Sequence, residues 1–350
     1  MAQEKIRVGV VGLTHDHIWS NLEALSQLPN ALFVGAADPN PPLLERVRER
    51  YGAVKLYTRY QDLWEQESLD AVFIFADNRT SALLAVEALE RGLHVMVEKP
   101  MAASLALADR MLTASRRANR VLMVNWPTYW SPAIRYAAQL VREGAIGRPF
   151  KFRYAAGHQG PKEIGCSPFF YSWLYNRELN GAGAYMDYCG YGASLSRWLL
   201  GYPSRVQASA GRLTKDYIDV DDAAILLLRY PRAFSVIEGT WGMVGRKPGP
   251  GPIIWGTEGT LLVSGSGRES VVELCDRQNP EGRTLTPPPL PEGERNGPEY
   301  FLRCITENRP VEGQCDPVIS RDAQEILEAG LESIRTGTEV ALPFERYLFA

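Results

Sequence analysis

Residues 6–11, 31–37, 71–75, 94–97 and 121–124 are apolar at nearly every position. Strands that are apolar on both faces belong in parallel sheets covered by helices. Between these runs, apolar residues recur at helical spacing over 18–28, 42–51 (Leu43, Leu44, Val47), 81–91 (Leu84, Ala85, Ala88, Leu89) and 105–119. The alternation predicts a doubly wound parallel α/β domain over residues 1–125.

After residue 125 the rhythm changes. A helix predicted at 133–143 is followed by short strand-like runs at 150–156, 206–213, 223–230, 234–241, 253–255, 260–264 and 269–275, separated by turn residues. Residues 126–350 therefore read as an α+β domain built on an open, mainly antiparallel sheet of about six strands. Gly- and Pro-rich stretches at 246–252 and 286–298 read as loops, and 320–336 (Ala323, Ile326, Leu327, Leu331, Ile334) as an amphipathic helix.

A chain of 350 residues with 45% apolar and 23% charged side chains can fill two such cores. The net charge of −3 leaves no basic surplus for phosphate backbones, so no nucleic-acid partner is expected. No apolar run is long enough to cross a bilayer, and no export signal opens the chain. Five cysteines, with no C-x-x-C pair, suggest neither a disulfide framework nor a zinc site, and fit a reducing cytoplasm.

The first βα turn is where a Rossmann fold sets a pyrophosphate on a helix N-terminus. Here the expected G-x-G-x-x-G reads Gly12-Leu13-Thr14-His15-Asp16-His17, with Thr14 and His17 at the second and third glycine positions. Three readings compete for this segment: a helix start capped by Asp16 or Thr14, a contact from Thr14 or His15 to pyrophosphate or substrate, and, least favoured, a metal site. No metal is expected. Asp38 ends the second strand, about 26 residues past Gly12, where a carboxylate accepts from ribose hydroxyls and repels a 2′-phosphate, so NAD is preferred over NADP.

At Glu98-Lys99-Pro100-Met101-Ala102 the chain resembles the Gfo/Idh/MocA oxidoreductases, with supporting stretches at Asp77-Asn78, Gly144-Ala145-Ile146-Gly147, Gly181-Ala182-Gly183-Ala184, Ile254-Trp255-Gly256-Thr257-Glu258-Gly259 and Arg321-Asp322-Ala323. The resemblance implies a cofactor site of Gly12, Leu13, Thr14, His15, Asp38, Asn78, Glu98 and Lys99, with Lys99 at the nicotinamide edge. A cation there stabilises the alkoxide that forms as hydride leaves. In many relatives the peptide before the proline is cis.

Family members commonly read Asp-x-Gly-x-His where this chain has Asp187-Tyr188-Cys189-Gly190-Tyr191. The aspartate is kept, Cys189 replaces the glycine, and Tyr191 stands at the histidine position, as a tyrosine does in glucose-fructose oxidoreductase. Asp187 and Tyr191 are spaced i, i+4 on one predicted helix face. An unperturbed phenol titrates near pH 10, so serving as base at pH 7 requires about 4 kcal/mol of stabilisation of the phenolate, whereas donating a proton requires none. The catalytic set implied is Lys99, Asp187 and Tyr191. Trp126, Trp173, His158 and Arg177 join Lys99 and Asp187 as substrate contacts, rings and polar groups suited to a sugar or cyclitol.

The expected function is hydride transfer between NAD(H) and a secondary alcohol or ketone of a carbohydrate-like substrate, by a homodimer or homotetramer. The alternative is a family member without chemistry that serves as a ligand or NAD sensor.

Overall fold

The computed structural model describes residues 5–245, 251–265 and 269–344. Its contacts divide the chain into two compact units. The first takes Met1–Trp126 with Cys166–Gly181 and Pro291–Arg321; the second takes Pro127–Gly165 with Ala182–Leu290 and Asp322–Ala350.

The first unit is built on β1 (Ile6–Val11), β2 (Ala31–Ala37), β3 (Lys55–Tyr57), β4 (Ala71–Ile74), β5 (His94–Glu98) and β6 (Leu122–Asn125). Their spatial order is β3-β2-β1-β4-β5-β6, all parallel. This is the doubly wound Rossmann order, with its switch point between β1 and β4. Five of the six strands fall on the predicted runs. Edge strand β3 has only three residues, none of them buried, too few to show a period.

Helices α1 (Ile18–Ser26), α2 (Pro41–Tyr51), α3 (Tyr60–Gln66), α4 (Asn78–Glu90) and α5 (Leu105–Ala118) make the crossovers. The sheet core is dry: Val8, Val10, Val11, Ala36, Ala37, Phe73, Ile74, Val95, Val97 and Val124 are fully buried.

The second unit starts with α6 (Pro132–Arg142) and β7 (Pro149–Gly157). Between them and the rest of that unit, the chain runs through α7 (Pro168–Leu174) and α8 (Arg177–Asn180), which pack in the first unit. A π-helical turn, Tyr185–Cys189, then leads into α9 (Gly190–Leu200). Seven strands follow: β8 (Arg205–Gly211), β9 (Ala223–Tyr230), β10 (Ala233–Thr240), β11 (Ile253–Gly256), β12 (Gly259–Ser264), β13 (Val271–Asp276) and β14 (Arg283–Leu285). After α10 (Gly297–Thr306) and α11 (Pro317–Thr336), β15 (Val340–Ala341) closes the order β14-β13-β12-β11-β7-β10-β9-β8-β15.

Nine strands make this sheet rather than about six, and every pairing is antiparallel except β7 with β10. The strand alternation is clear in β9, where Ala224, Leu226, Leu228 and Tyr230 are buried and Ile225, Leu227 and Arg229 face outward.

Residues 286–296 have no regular structure, as expected, but Pro298 belongs to α10. Asn296 caps that helix, its side chain accepting from the Glu299 N–H, and a proline is tolerated in a first turn whose N–H groups have no helical partner. The loop expected at 246–252 lies, up to residue 250, outside the described residues. Among the described residues no helix is long and apolar enough to cross a membrane.

Candidate functional site

In a doubly wound sheet ligands bind at the carboxyl ends of the strands. Gly12 follows β1, Asp38 follows β2, Asn78 opens the helix after β4, and Glu98 and Lys99 stand at the end of β5. The chain thus brings its expected cofactor residues to one edge of one sheet.

Gly12 has φ +79, and a Cβ there would sit 2.5 Å from the Ala76 nitrogen and 2.8 Å from the Phe75 carbonyl carbon. Glycine is required because the β4–α4 connection approaches so closely. The loop is then tied down by its own N–H groups: Gly12 donates to the Ala37 carbonyl (2.9 Å), Leu13 to Asp38 Oδ2 (2.6 Å) and His15 to the Phe75 carbonyl (2.9 Å). The Thr14 N–H has no protein acceptor among the described residues. Neither Thr14 nor Asp16 caps α1. The N-cap is His17, without a side-chain bond, and Asp16 Oδ2 instead accepts from the Ser167 N–H at 2.7 Å.

Asp38 is fully buried, and both of its oxygens are engaged: Oδ2 by Leu13, Oδ1 by the backbone and side-chain N–H groups of Asn40, each at 2.8 Å. Burial raises its pKa, and the hydrogen bonds from Asn40 and Leu13 oppose that rise. Its first task is therefore to fasten the phosphate loop to the end of β2.

Around Lys99 the first unit assembles a dense set. The Lys99–Pro100 peptide is cis, and Lys99 is 4% exposed. Glu98 Oε1 lies 2.9 Å from His17 Nδ1, and Oε2 accepts from the Asn125 side chain at 2.9 Å. His15 is buried against Phe170 (ring centroids 4.4 Å apart), His17 (4.5 Å) and Trp173 (5.7 Å). Burial first, then His17 and Lys99, hold His15 well below the usual histidine range, so it is neutral at pH 7.

Asn78 donates to the Asn180 side chain at 2.7 Å. Of the expected substrate contacts in this unit, Trp126 is buried with its indole N–H on Ser320 Oγ (3.1 Å), Trp173 is buried in α7, and Arg177 is exposed at the start of α8.

In the second unit Asp221 organises the segment that carries Asp187 and Tyr191. Its carboxylate accepts from the Gly183 N–H (2.8 Å) and the Tyr185 N–H (2.6 Å), and its carbonyl from the Ala184 N–H (3.0 Å). Asp187, on the π turn, accepts from the buried Trp241 indole at 3.1 Å. The Tyr188 ring stands 6.2 Å from Tyr191 and edge-on, 5.3 Å, to His158, whose Nδ1 accepts from the Gly160 N–H. Asp187, Tyr191 and His158 are thus gathered around Tyr188 and Trp241. Cys189, at the position of the family glycine, is fully buried, and burial drives its thiol pKa far up.

Asn125, Asp221 and Trp241 act here without having been singled out by sequence. Asn125 had a readable signal: it closes β6 at the same edge as Glu98.

These residues fit a dinucleotide. The glycine demanded by close approach, the Thr14 N–H left without a protein acceptor in the loop before α1 and the carboxylate at the end of β2 are the features that hold the phosphates and ribose.

Comparison with known proteins agrees. Residues 6–126 match the model described as "Oxidoreductase family, NAD-binding Rossmann fold", and residues 134–262 match the "GFO/IDH/MocA C-terminal domain". Levoglucosan dehydrogenase of Pseudarthrobacter phenanthrenivorans is 27% identical over 285 residues, covering 74% of this chain and 72% of that protein. Myo-inositol 2-dehydrogenase of Thermotoga maritima is 24% identical over 286 residues, covering 79% and 80%. The solved structure of levoglucosan dehydrogenase in complex with NADH and levoglucosan superposes with a TM-score of 0.81 at 23% identity, over 97% of this chain and 100% of that one, which shows the shared fold. With both of its domains matched along the sequence, the chain belongs to the Gfo/Idh/MocA family and is an NAD(P)-dependent oxidoreductase.

Proposed function

We propose that the protein transfers a hydride between NAD(H), in preference to NADP(H), and a secondary alcohol or ketone on a sugar- or cyclitol-like substrate. The observation that carries this reading is Lys99: an ammonium 4% exposed, beside Glu98 at the carboxyl edge of a dinucleotide-binding sheet. A buried amine at this edge is placed to meet an oxygen on which negative charge develops. When bound, the nicotinamide supplies the hydride acceptor or donor.

Lys99 donates a hydrogen bond to the substrate oxygen and stabilises the negative charge that develops there. Tyr191 exchanges the proton of that oxygen through its phenol. Asp187, oriented by the Trp241 indole, binds a substrate hydroxyl or tunes Tyr191. His158 supplies a further polar contact and the rings of the site face apolar sugar edges. The sugar and cyclitol dehydrogenases among the relatives support this substrate class.

The test is turnover by the purified protein with NAD⁺ or NADP⁺ over a panel of aldoses, anhydrosugars and inositols, and with NADH over the matching ketones. Activity on one polyhydroxylated class with NAD⁺ favoured is the expected result. Tight NADH binding without turnover on any member would restore the sensor reading.

A further inference from the structure

His15 and His17 on the β1–α1 loop and Glu98 at the end of β5 each offer a donor atom, all within 4.8 Å of one another. We propose that this trio binds one divalent transition ion, zinc by its donor set. Two imidazoles and one carboxylate are the ligands of open zinc sites, which keep a further position for water or a substrate oxygen.

His17 Nδ1 and Glu98 Oε1 are 2.9 Å apart. Ligands at about 2.1 Å in a tetrahedron stand about 3.4 Å from each other, so this hydrogen-bonded pair opens by about 0.5 Å and the third donor closes by at most about 1.4 Å, both within reach of ring rotation. His15 Nδ1 accepts the His17 backbone N–H at 3.2 Å, a long bond that gives way if this nitrogen is the one that turns to the cation. His17 turns to the tautomer with its proton on Nε2 and presents the Nδ1 lone pair.

The outer layer is in place as well. Asn125 donates to the second oxygen of Glu98 and, at 3.3 Å, to Asn21, fixing the carboxylate. Phe75, Phe170 and Trp173 wall the His15 side with apolar rings. The His17 side chain, 39% exposed, gives an ion its way in. Lys99 works against the cation and the Glu98 charge offsets it, which favours a borderline ion held by nitrogen over a hard one held by charge alone.

The test uses the full chain stripped with a chelator and titrated with Co²⁺, without dinucleotide or substrate. The expected result is the visible absorption of four- or five-coordinate Co²⁺, saturating at one ion per chain and displaced by Zn²⁺. His17→Ala, at a half-exposed position, loses the band, and the isosteric Glu98→Gln weakens binding at least about tenfold. His94→Gln leaves it unchanged. Absence of the band, or a band that survives both variants in chains whose far-ultraviolet circular dichroism is unaltered, overturns the proposal. The readout involves no turnover, so either result leaves the hydride-transfer reading to its own test.

Discussion

Replacing Asp38 by alanine removes the acceptor of three hydrogen bonds, from the Leu13 N–H and from the backbone and side chain of Asn40. The Asn40 side chain, half-buried, can turn to water, but the Leu13 N–H is fastened inside a residue 1% exposed. Each buried N–H left unsatisfied costs about 1–3 kcal/mol, which puts the two backbone groups together at roughly 2–6 kcal/mol. Relief of the carboxylate's own burial offsets part of this, and Asp38→Asn, which keeps one oxygen, loses less.

The same change acts on the cofactor. Like unit charges about 5 Å apart repel by roughly 3 kcal/mol at an effective dielectric of 20, so a 2′-phosphate brought near this carboxylate would lose more than the 1.4 kcal/mol that a tenfold preference needs. Amide hydrogen exchange over residues 12–17 and fluorescence titration with NADH and NADPH read both effects. We expect the parent to bind NADH at least about tenfold tighter than NADPH. Asp38→Ala should speed exchange in the loop, weaken NADH and narrow that ratio. Unchanged exchange with equal affinities for the two dinucleotides in the parent would refute the reasoning.

Three further outcomes are expected. His94, whose Nδ1 accepts the Val121 N–H, has its pKa lowered to about 4, mainly by burial and then by Arg120. The folded state therefore resists the proton: stability is fully present above the unfolded value near 6.5 and is lost as pH falls toward 4, and His94→Gln should flatten denaturation midpoints across that window. Gly183→Ala drives a methyl into the Asp221 carbonyl and should cost about 1–3 kcal/mol and most turnover, because it displaces the turn bearing Asp187; native stability and rate would contradict this. Ile225, Leu227 and Phe234 are 47%, 39% and 45% exposed on the outer face of the nine-stranded sheet, so we expect a symmetric homo-oligomer by light scattering that Leu227→Glu disperses. A monomeric parent at micromolar concentration would count against it.

The Rossmann half was legible because its strands are apolar on both faces, which leaves a signal that no tertiary detail overrides. β3, α3 and α8 were not, since three to seven residues cannot establish a period against their flanks. Residues 166–181 pack in the first unit through contacts such as Asp16 with Ser167 and Asn78 with Asn180, and no local pattern announces such partners. At the site, Glu98 and Lys99 could be read from their neighbours in sequence. Asp38 could be placed, but that its Oδ2 is spent on the Leu13 N–H could not, nor that Asp221 fastens the turn before Asp187, because each is a hydrogen bond between residues more than twenty positions apart. The joining of Glu98 to His15 and His17 is of the same kind: two short motifs, each readable, whose meeting only the sheet order supplies.

The central claim is that Lys99 and Tyr191 serve one oxygen during hydride transfer, and a double-mutant cycle on kcat/KM tests it most directly. On a substrate the parent turns over, Lys99→Ala should lose orders of magnitude, and Tyr191→Phe, which keeps the ring and deletes the proton donor, about 10²- to 10⁴-fold. The double variant should lose far less than the product of the two. Near-parental activity in Tyr191→Phe, or strictly multiplicative losses, would contradict the account.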